Sequence, residues 1–227
     1  MVIGSGMIAK AFSRHVINER VLIFASGVAN SSETDTKEFE RESLALENAL
    51  HDNPDKLLVY FSTCSIDDTE ASGTPYVRHK LRMESLVKRP HQNYLICRLP
   101  QVVGVSSNRT TLTNYLYDRI TKKEHFVVWK NATRYLIDVV DVAKIVSYSC
   151  ETKALWNSTI NIVSRRYSIP EIVDVLSNIT GSPANYSIVN KGTPYTIKSS
   201  ISNQVLKELN ITFDKAYLKR MLIKYYA

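Results

Sequence analysis

The chain has 227 residues, of which 44% are hydrophobic and 22% charged, and its formal net charge is +7. This balance excludes a disordered, collagen-like or coiled-coil chain and is typical of one α/β domain with a small appendage. No apolar run approaches the ~18 residues of a membrane-spanning helix. Gly4 and Gly6 interrupt the apolar stretch at the N-terminus, so we predict neither membrane insertion nor a signal peptide.

The distribution of basic residues bears on the partners of the chain, and the cysteines bear on its compartment and on metal binding. Lysines and arginines are scattered, with pairs such as Lys122-Lys123 as the densest patches, and no basic-aromatic interleaving typical of base stacking occurs. The sequence therefore predicts no nucleic-acid partner, while an anionic small molecule stays open. Cys64, Cys97 and Cys150 have no metal-ligand spacing and predict free thiols in a reducing cytoplasm, with no metal site.

Short apolar runs alternate with amphipathic stretches along the chain, which predicts strands and helices in turn. The predicted strands cover residues 1–3, 21–25, 57–61, 94–98, 126–129 and 159–163. The predicted helices cover residues 7–15, 37–50, 76–88, 111–120, 140–150, 168–180, 205–209 and 215–225. Continuous apolar strands that alternate with helices predict a parallel sheet with helices on both faces.

The first strand leads into a glycine turn, Gly4-Ser5-Gly6-Met7-Ile8-Ala9, which fits the pattern G-x-G-x-x-G/A. In that pattern the first glycine permits a tight turn, the second lets a pyrophosphate approach the backbone, and the small third residue permits close helix–strand packing. The alternative is an ordinary strand-ending turn, because glycines end many strands. The position between a strand and a helix favours a dinucleotide site.

One feature departs from the usual dinucleotide fold. The second strand ends in Ala25-Ser26-Gly27, without the carboxylate that commonly reads the ribose hydroxyl. Val21 follows Gly6 by only fifteen positions. Either the fold is not a standard dinucleotide fold, or a strand pair is missing.

Tyr76 and Lys80 lie four positions apart on one face of a predicted helix. A nearby ammonium favours the phenolate, so we expect Lys80 to lower the pKa of Tyr76, and such a phenol can exchange a proton with an alcohol or carbonyl. The alternative is an ordinary surface pair. We expect His79, which lies off this face, to be exposed to solvent.

These elements, in this order, resemble the extended short-chain dehydrogenases/reductases, specifically the NAD-dependent epimerase/dehydratase family that acts on nucleotide sugars. Further matching segments are Phe61-Ser62-Thr63, the stretch Arg98-Leu99-Pro100-Gln101-Val102-Val103-Gly104 and the stretch from Arg134 to Ala143. Ile3 stands where the family usually has its first glycine, and Gln101 replaces a customary Asn. The resemblance implies a Rossmann-like parallel sheet that lacks two strands, with a small C-terminal α/β substrate lobe. Residues 1–150 would form the core, and residues 151–227 most of the lobe, interleaved with the core.

The resemblance also implies the site. Thr63, Tyr76 and Lys80 correspond to the family's catalytic residues, and Thr63 and Arg134 to residues that bind the substrate. The residues implied to bind NAD or NADP, which the sequence does not separate, are Gly4, Ser5, Gly6, Met7, Ile8, Ala25, Ser26, Gly27, Phe61, Ser62, Tyr76, Lys80, Pro100 and Val102.

The expected function is that of an NAD(P)-dependent oxidoreductase on a nucleoside-diphosphate sugar, reducing a keto-sugar. A nucleotide-sugar epimerase and a non-catalytic dinucleotide-binding module are the alternatives. The helices over residues 37–50 and 76–88 correspond to those that form the dimer in many relatives, so we expect a cytoplasmic homodimer.

Overall fold

The computed structural model describes residues 1–13, 15, 18–89 and 92–227. The strands in this part of the chain are β1 (Val2–Ile3), β2 (Val21–Phe24), β3 (Leu57–Thr63), β4 (Tyr94–Leu99), β5 (Gln101–Val103), β6 (Phe126–Trp129), β7 (Thr133–Asp138), β8 (Ser158–Asn161), β9 (Arg166–Ser168) and β10 (Tyr186–Val189). The α-helices are α1 (Met7–Phe12), α2 (Thr36–Asp52), α3 (Pro75–Val87), α4 (Leu112–Thr121), α5 (Val139–Glu151), α6 (Ile169–Thr180), α7 (Asn203–Glu208) and α8 (Tyr217–Tyr226). The end of the helix predicted over residues 7–15 falls partly outside the described residues.

The main sheet is parallel and has the order β1-β2-β3-β4-β8. A doubly wound dinucleotide fold has the order 3-2-1-4-5-6, so removal of its second and third strands leaves the first strand at the edge. β1 occupies that edge position among the described residues. The prediction of a Rossmann-like parallel sheet that lacks two strands is therefore confirmed.

Helices cover both faces of this sheet. Phe12 of α1 and Val142 of α5 pack on one face, and Leu46 of α2 and Met83 of α3 pack on the other. Every residue of β3 is buried, as expected for a strand between two helical layers. Such an arrangement places the carboxyl ends of the parallel strands at one edge, where ligands of open α/β sheets bind.

A second hydrophobic core joins α4, β6, α6 and α8. It draws residues from both sides of position 150, for example Leu116 and Leu176, while Ile160 of β8 belongs to the main core. The division at residue 150 and the predicted interleaving of lobe and core both stay predictions. The strands β5, β7, β9 and β10 were not predicted, because polar residues such as Gln101, Arg134 and Ser187 break their apolar runs.

Candidate active site

The glycine turn between β1 and α1 is exposed at the edge of the sheet. Gly4 has a φ of +126°, and a Cβ there would lie 2.4 Å from the carbonyl oxygen of Ala25. Only glycine permits this close approach of the turn to the end of β2. Gly6 differs, because a Cβ at this position would meet no atom within 4 Å. The backbone at Gly6 therefore faces open space, as a pyrophosphate-binding turn requires.

The segment after β4 closes onto the same turn. A Cβ on Gly104 would lie 2.8 Å from the sulfur of Met7 and 2.7 Å from Cγ1 of Val139. Pro100 and Val102 precede this contact and are half-buried. The structure thus brings this predicted cofactor-binding segment against the beginning of α1.

Thr63 and Tyr76 come together where β3 ends and α3 begins. Thr63 is the last residue of β3, and its hydroxyl accepts a hydrogen bond of 3.0 Å from the backbone N–H of Ser65. Thr74 caps α3 and Pro75 occupies its first turn, which fixes the position of Tyr76 one residue later. Tyr76 is buried, and its phenol lies close enough to Thr63 for the Thr63 side chain to act on its pKa. The two predicted catalytic hydroxyls are therefore neighbours.

Lys80 lies one helical turn after Tyr76, and its side chain is 3% exposed. Its ammonium donates to Oε1 of Glu42 at 2.9 Å, to the hydroxyl of Tyr60 at 3.2 Å and to the carbonyl of Phe61 at 3.4 Å. These contacts engage all three donors of a lysine. The ammonium is 5.9 Å from the centroid of the Tyr76 ring.

The expected lowering of the phenol pKa is wrong for the protein in this state. Burial raises the pKa of Tyr76 to about 12, the side chain of Thr63 opposes this rise, and the charge of Glu42 adds to it. The Lys80 charge that would favour the phenolate is compensated by Glu42, its ion-pair partner. Tyr76 is consequently a neutral phenol at physiological pH.

Glu42 is a residue of this site that the sequence analysis missed. Its carboxylate is fully buried on α2 and accepts four hydrogen bonds, from the backbone N–H of Val28, the hydroxyl of Tyr60, Lys80 and His79. Burial alone would raise its pKa, but the hydrogen bonds and the Lys80 charge outweigh burial and lower the pKa to about 2. Glu42 is therefore ionised at physiological pH.

His79 is buried, so the prediction that it faces solvent is wrong. Its Nε2 lies 3.0 Å from Oε2 of Glu42, and its ring stacks on Phe39 with the centroids 4.6 Å apart. α2 packs against α3, and this contact covers the helix face that carries His79.

The loop after β2 lies directly over the Lys80–Glu42 pair. A Cβ on Gly27 would be 2.7 Å from the Lys80 ammonium and 3.0 Å from Oε1 of Glu42. Gly27, with Ala25 and Ser26, therefore lies next to α3, on the side where the cofactor was predicted.

Ser62 was predicted to bind the cofactor, but its hydroxyl is bonded to a buried carboxylate. Its hydroxyl donates to Oε1 of Glu84 at 2.6 Å, and Arg98 binds both oxygens of that carboxylate at 2.8 Å. The Ser62 side chain is thus committed to a buried ion pair between β4 and α3. Because successive residues of a strand point to opposite faces, Ser62 and Thr63 cannot both aim at one ligand.

Arg134 stands on β7, opposite Tyr167 of β9. It is half-buried and donates to the carbonyl of Thr133 at 2.8 Å. Its neighbour Tyr135 packs in one hydrophobic cluster with Cys64, the residue that follows Thr63. The strand that carries Arg134 therefore reaches the end of β3. In the described part of the chain no cluster of metal-ligating side chains occurs.

Together these features define an α/β protein with a dinucleotide-type glycine turn and a Thr-Tyr-Lys constellation at the carboxyl edge of its parallel sheet. Residues 4–162 match the profile of the NAD dependent epimerase/dehydratase family. This match spans more than half of the chain, so the protein belongs to that family, and the predicted resemblance is confirmed. Comparison with curated protein sequences gives no significant match.

Solved structures give the same fold. RMD from Pseudomonas aeruginosa, complexed with NADPH, superposes with a TM-score of 0.74 at 15% identity over 98% of this chain and 94% of that chain. UDP-glucuronic acid 4-epimerase from Bacillus cereus, in complex with UDP-glucuronic acid and NAD, has a TM-score of 0.73 at 18% identity over 97% of this chain and 77% of that chain.

A dehydratase is similar as well. dTDP-glucose 4,6-dehydratase from Bacillus anthracis, in complex with NAD, has a TM-score of 0.69 at 13% identity over 91% of this chain and 71% of that chain. At these identities the three similarities establish the fold alone.

Proposed function

We propose that this protein is an NAD(P)-dependent oxidoreductase that reduces a keto group of a nucleotide-linked sugar. The observation that carries the proposal is that Thr63 at the end of β3, Tyr76 and Lys80 lie together at the sheet edge where the glycine turn lies. The similar solved structures contain NAD or NADPH, and one contains a UDP-sugar, which supports the cofactor and the substrate class.

The residues present fit a dinucleotide. The glycine turn leaves open space at Gly6, where the pyrophosphate would approach the backbone. At the other end, Lys80 would hold a ribose hydroxyl. Its longest bond, 3.4 Å to the Phe61 carbonyl, is the one that a ribose would most easily replace. The cofactor supplies the hydride.

The side chains of this chain would handle the proton and the substrate. Tyr76 would protonate the oxygen of the carbonyl that is reduced, and Thr63 would orient that oxygen. Since the pKa of Tyr76 is raised to about 12, the phenol carries its proton at neutral pH, as a proton donor must. Arg134 would bind the diphosphate of the substrate, which a guanidinium can grip with two hydrogen bonds.

Fluorescence titration with NADH and NADPH tests the cofactor part of this proposal. We expect saturable binding of at least one of them, because the glycine turn and Lys80 together form both ends of a cofactor site. No binding of either one would contradict the proposal. Absence of binding would favour a non-catalytic module that has this fold, lacks two strands next to β1 and binds a partner.

Epimerisation is the second candidate function, supported by the Bacillus cereus epimerase among the similar structures. Incubation with a panel of nucleoside-diphosphate sugars separates the two reactions. A reductase consumes NAD(P)H in proportion to product, whereas an epimerase interconverts two sugars without net consumption. The neutral Tyr76 phenol favours reduction, because an epimerase must first remove a proton from an alcohol.

We also propose a cytoplasmic homodimer built from α2 and α3. Leu44 of α2 is 61% exposed and Leu81 of α3 is 39% exposed, so both helices present apolar side chains to solvent in the single chain. We expect light scattering to give a dimer mass, and Leu44→Glu to give a monomer. A wild-type protein that is monomeric at every concentration would refute this assembly. Among the residues that the structure describes, none of the helices combines the length and the hydrophobicity of a membrane span.

A further inference from the structure

Lys80 is buried so completely that its charge needs an explanation. Transfer of an ammonium into a protein interior favours the neutral amine, and fully buried lysines can lose several pKa units. Burial does lower the pKa of Lys80 here, and the charge of Glu42 opposes that effect. Of the carboxylates that the structure describes, Glu42 is the one bonded to this ammonium.

The surroundings of Glu42 show a site built around that pair. The carboxylate joins four parts of the chain: α2 itself, the loop after β2 through Val28, β3 through Tyr60, and α3 through Lys80 and His79. Tyr60 closes a triangle, because its hydroxyl donates to Glu42 at 2.6 Å and accepts from Lys80 at 3.2 Å. These bonds therefore hold the Lys80 and Glu42 side chains in position and favour their charged forms.

We propose that Glu42 is the positioning residue that keeps Lys80 an ammonium ion and holds it in place beneath the loop after β2. This inference rests on the proposed function for its role in cofactor binding, where a charged Lys80 is the donor to the ribose. The other charged or titratable groups around Lys80 are Arg41 on α2, Tyr60 on β3, and Tyr76, His79 and Glu84 on α3. Besides Glu42, the negative charge in these surroundings is Glu84, and Arg98 engages it.

The first test needs no cofactor. Urea unfolding of wild type, Glu42→Gln and the double variant Glu42→Gln/Lys80→Met is measured between pH 6 and pH 9. Without Glu42, a lysine whose pKa is depressed in the folded state binds fewer protons folded than unfolded, so stability rises with pH. We expect the folding equilibrium constant of Glu42→Gln to rise by up to about tenfold per pH unit relative to the double variant. Any contribution of His79 is common to both and cancels.

Two outcomes would overturn the inference. One is a set of parallel pH profiles for Glu42→Gln and the double variant, since Lys80 would then not depend on Glu42 for its charge. The other is that neither Glu42→Gln nor the double variant folds. The double variant contains no unpaired Lys80 charge, so its failure to fold would show that Glu42 does not act by pairing with that charge. Glu47→Gln removes a half-exposed carboxylate from the same helix and should follow the wild-type profile.

The second test measures NADPH affinity of the same variants by fluorescence. We expect Glu42→Gln to bind nearly as well as wild type at pH 6 and at least about tenfold more weakly at pH 9, where Lys80 has lost its proton. A uniform loss at every pH would indicate a merely structural role and overturn the inference. If wild type itself binds no dinucleotide, the proposed function fails, while the unfolding profiles still decide the role of Glu42.

Discussion

Tyr76→Phe is expected to lower turnover by at least ~10²-fold, the usual scale for the loss of a general acid. The phenol hydroxyl contacts Thr63 at the end of β3, and the proposed reaction needs its proton on the substrate oxygen. Affinity for NAD(P)H should barely change, because the ring remains. The measurement is steady-state consumption of NAD(P)H with the nucleotide-linked keto-sugar that the protein accepts.

The pH profile gives this prediction a sharper form. Since the pKa of Tyr76 is about 12, reductive turnover should stay high through neutral pH and fall only as the pH approaches that value. The alkaline limb should be absent in Tyr76→Phe. Tyr167→Phe is a matched control, because Tyr167 is also a buried tyrosine and its hydroxyl has no partner among the described residues. Near-normal turnover of Tyr76→Phe would refute the assignment.

Other variants separate binding from chemistry. Lys80→Met should weaken both cofactor affinity and turnover, because it removes the ribose donor, and it also leaves Glu42 buried without its cation.

Thr63→Val should lower kcat with little effect on the affinity for the cofactor.

Arg134→Ala should mainly raise KM for the diphosphate-linked substrate. An unchanged KM in that variant would remove Arg134 from the site.

The sequence predicted the sheet well because the apolar runs that form β2, β3 and β4 are continuous. A strand buried on both faces is apolar over most of its length, as β3 is over residues 57–61, and this leaves a clear signal without any knowledge of the fold. The glycine turn was predictable for a similar reason. Its spacing reflects two separate requirements, a close approach at Gly4 and open backbone at Gly6, and the structure shows both.

The ion pair behind the site was not predictable from local patterns. Glu42 stands in a helix rich in glutamates, and Glu38, Glu40 and Glu47 of that helix are exposed. It does lie on the same helical stripe as the buried residues Leu46, Ala49 and Leu50, and this position was the available signal. Its partner lies 38 positions away on α3, and only tertiary packing brings them together. The same contact buries His79.

Gly6→Val is expected to abolish NAD(P)H binding while leaving the fold intact. Gly6 has φ −75° and ψ −175°, a backbone conformation open to any residue, and a Cβ there meets no atom within 4 Å. The valine side chain would instead fill the space through which the pyrophosphate approaches the backbone. Far-UV circular dichroism and urea unfolding should match wild type, and the fluorescence titration should show no saturation.

Two further glycines make this result interpretable. Gly4→Val should fail to fold properly, because a Cβ there would lie 2.4 Å from the carbonyl oxygen of Ala25 at a φ of +126°. The clash is with backbone, so no movement of a side chain can relieve it. Gly73→Val is the matched control for Gly6→Val, since Gly73 also faces open space but lies outside the glycine turn, and it should bind NAD(P)H like wild type. If Gly6→Val bound the cofactor as tightly as Gly73→Val, the turn would be a purely structural link between β1 and α1. The cofactor would then have to bind elsewhere, and the oxidoreductase proposal would no longer have a pyrophosphate-binding site.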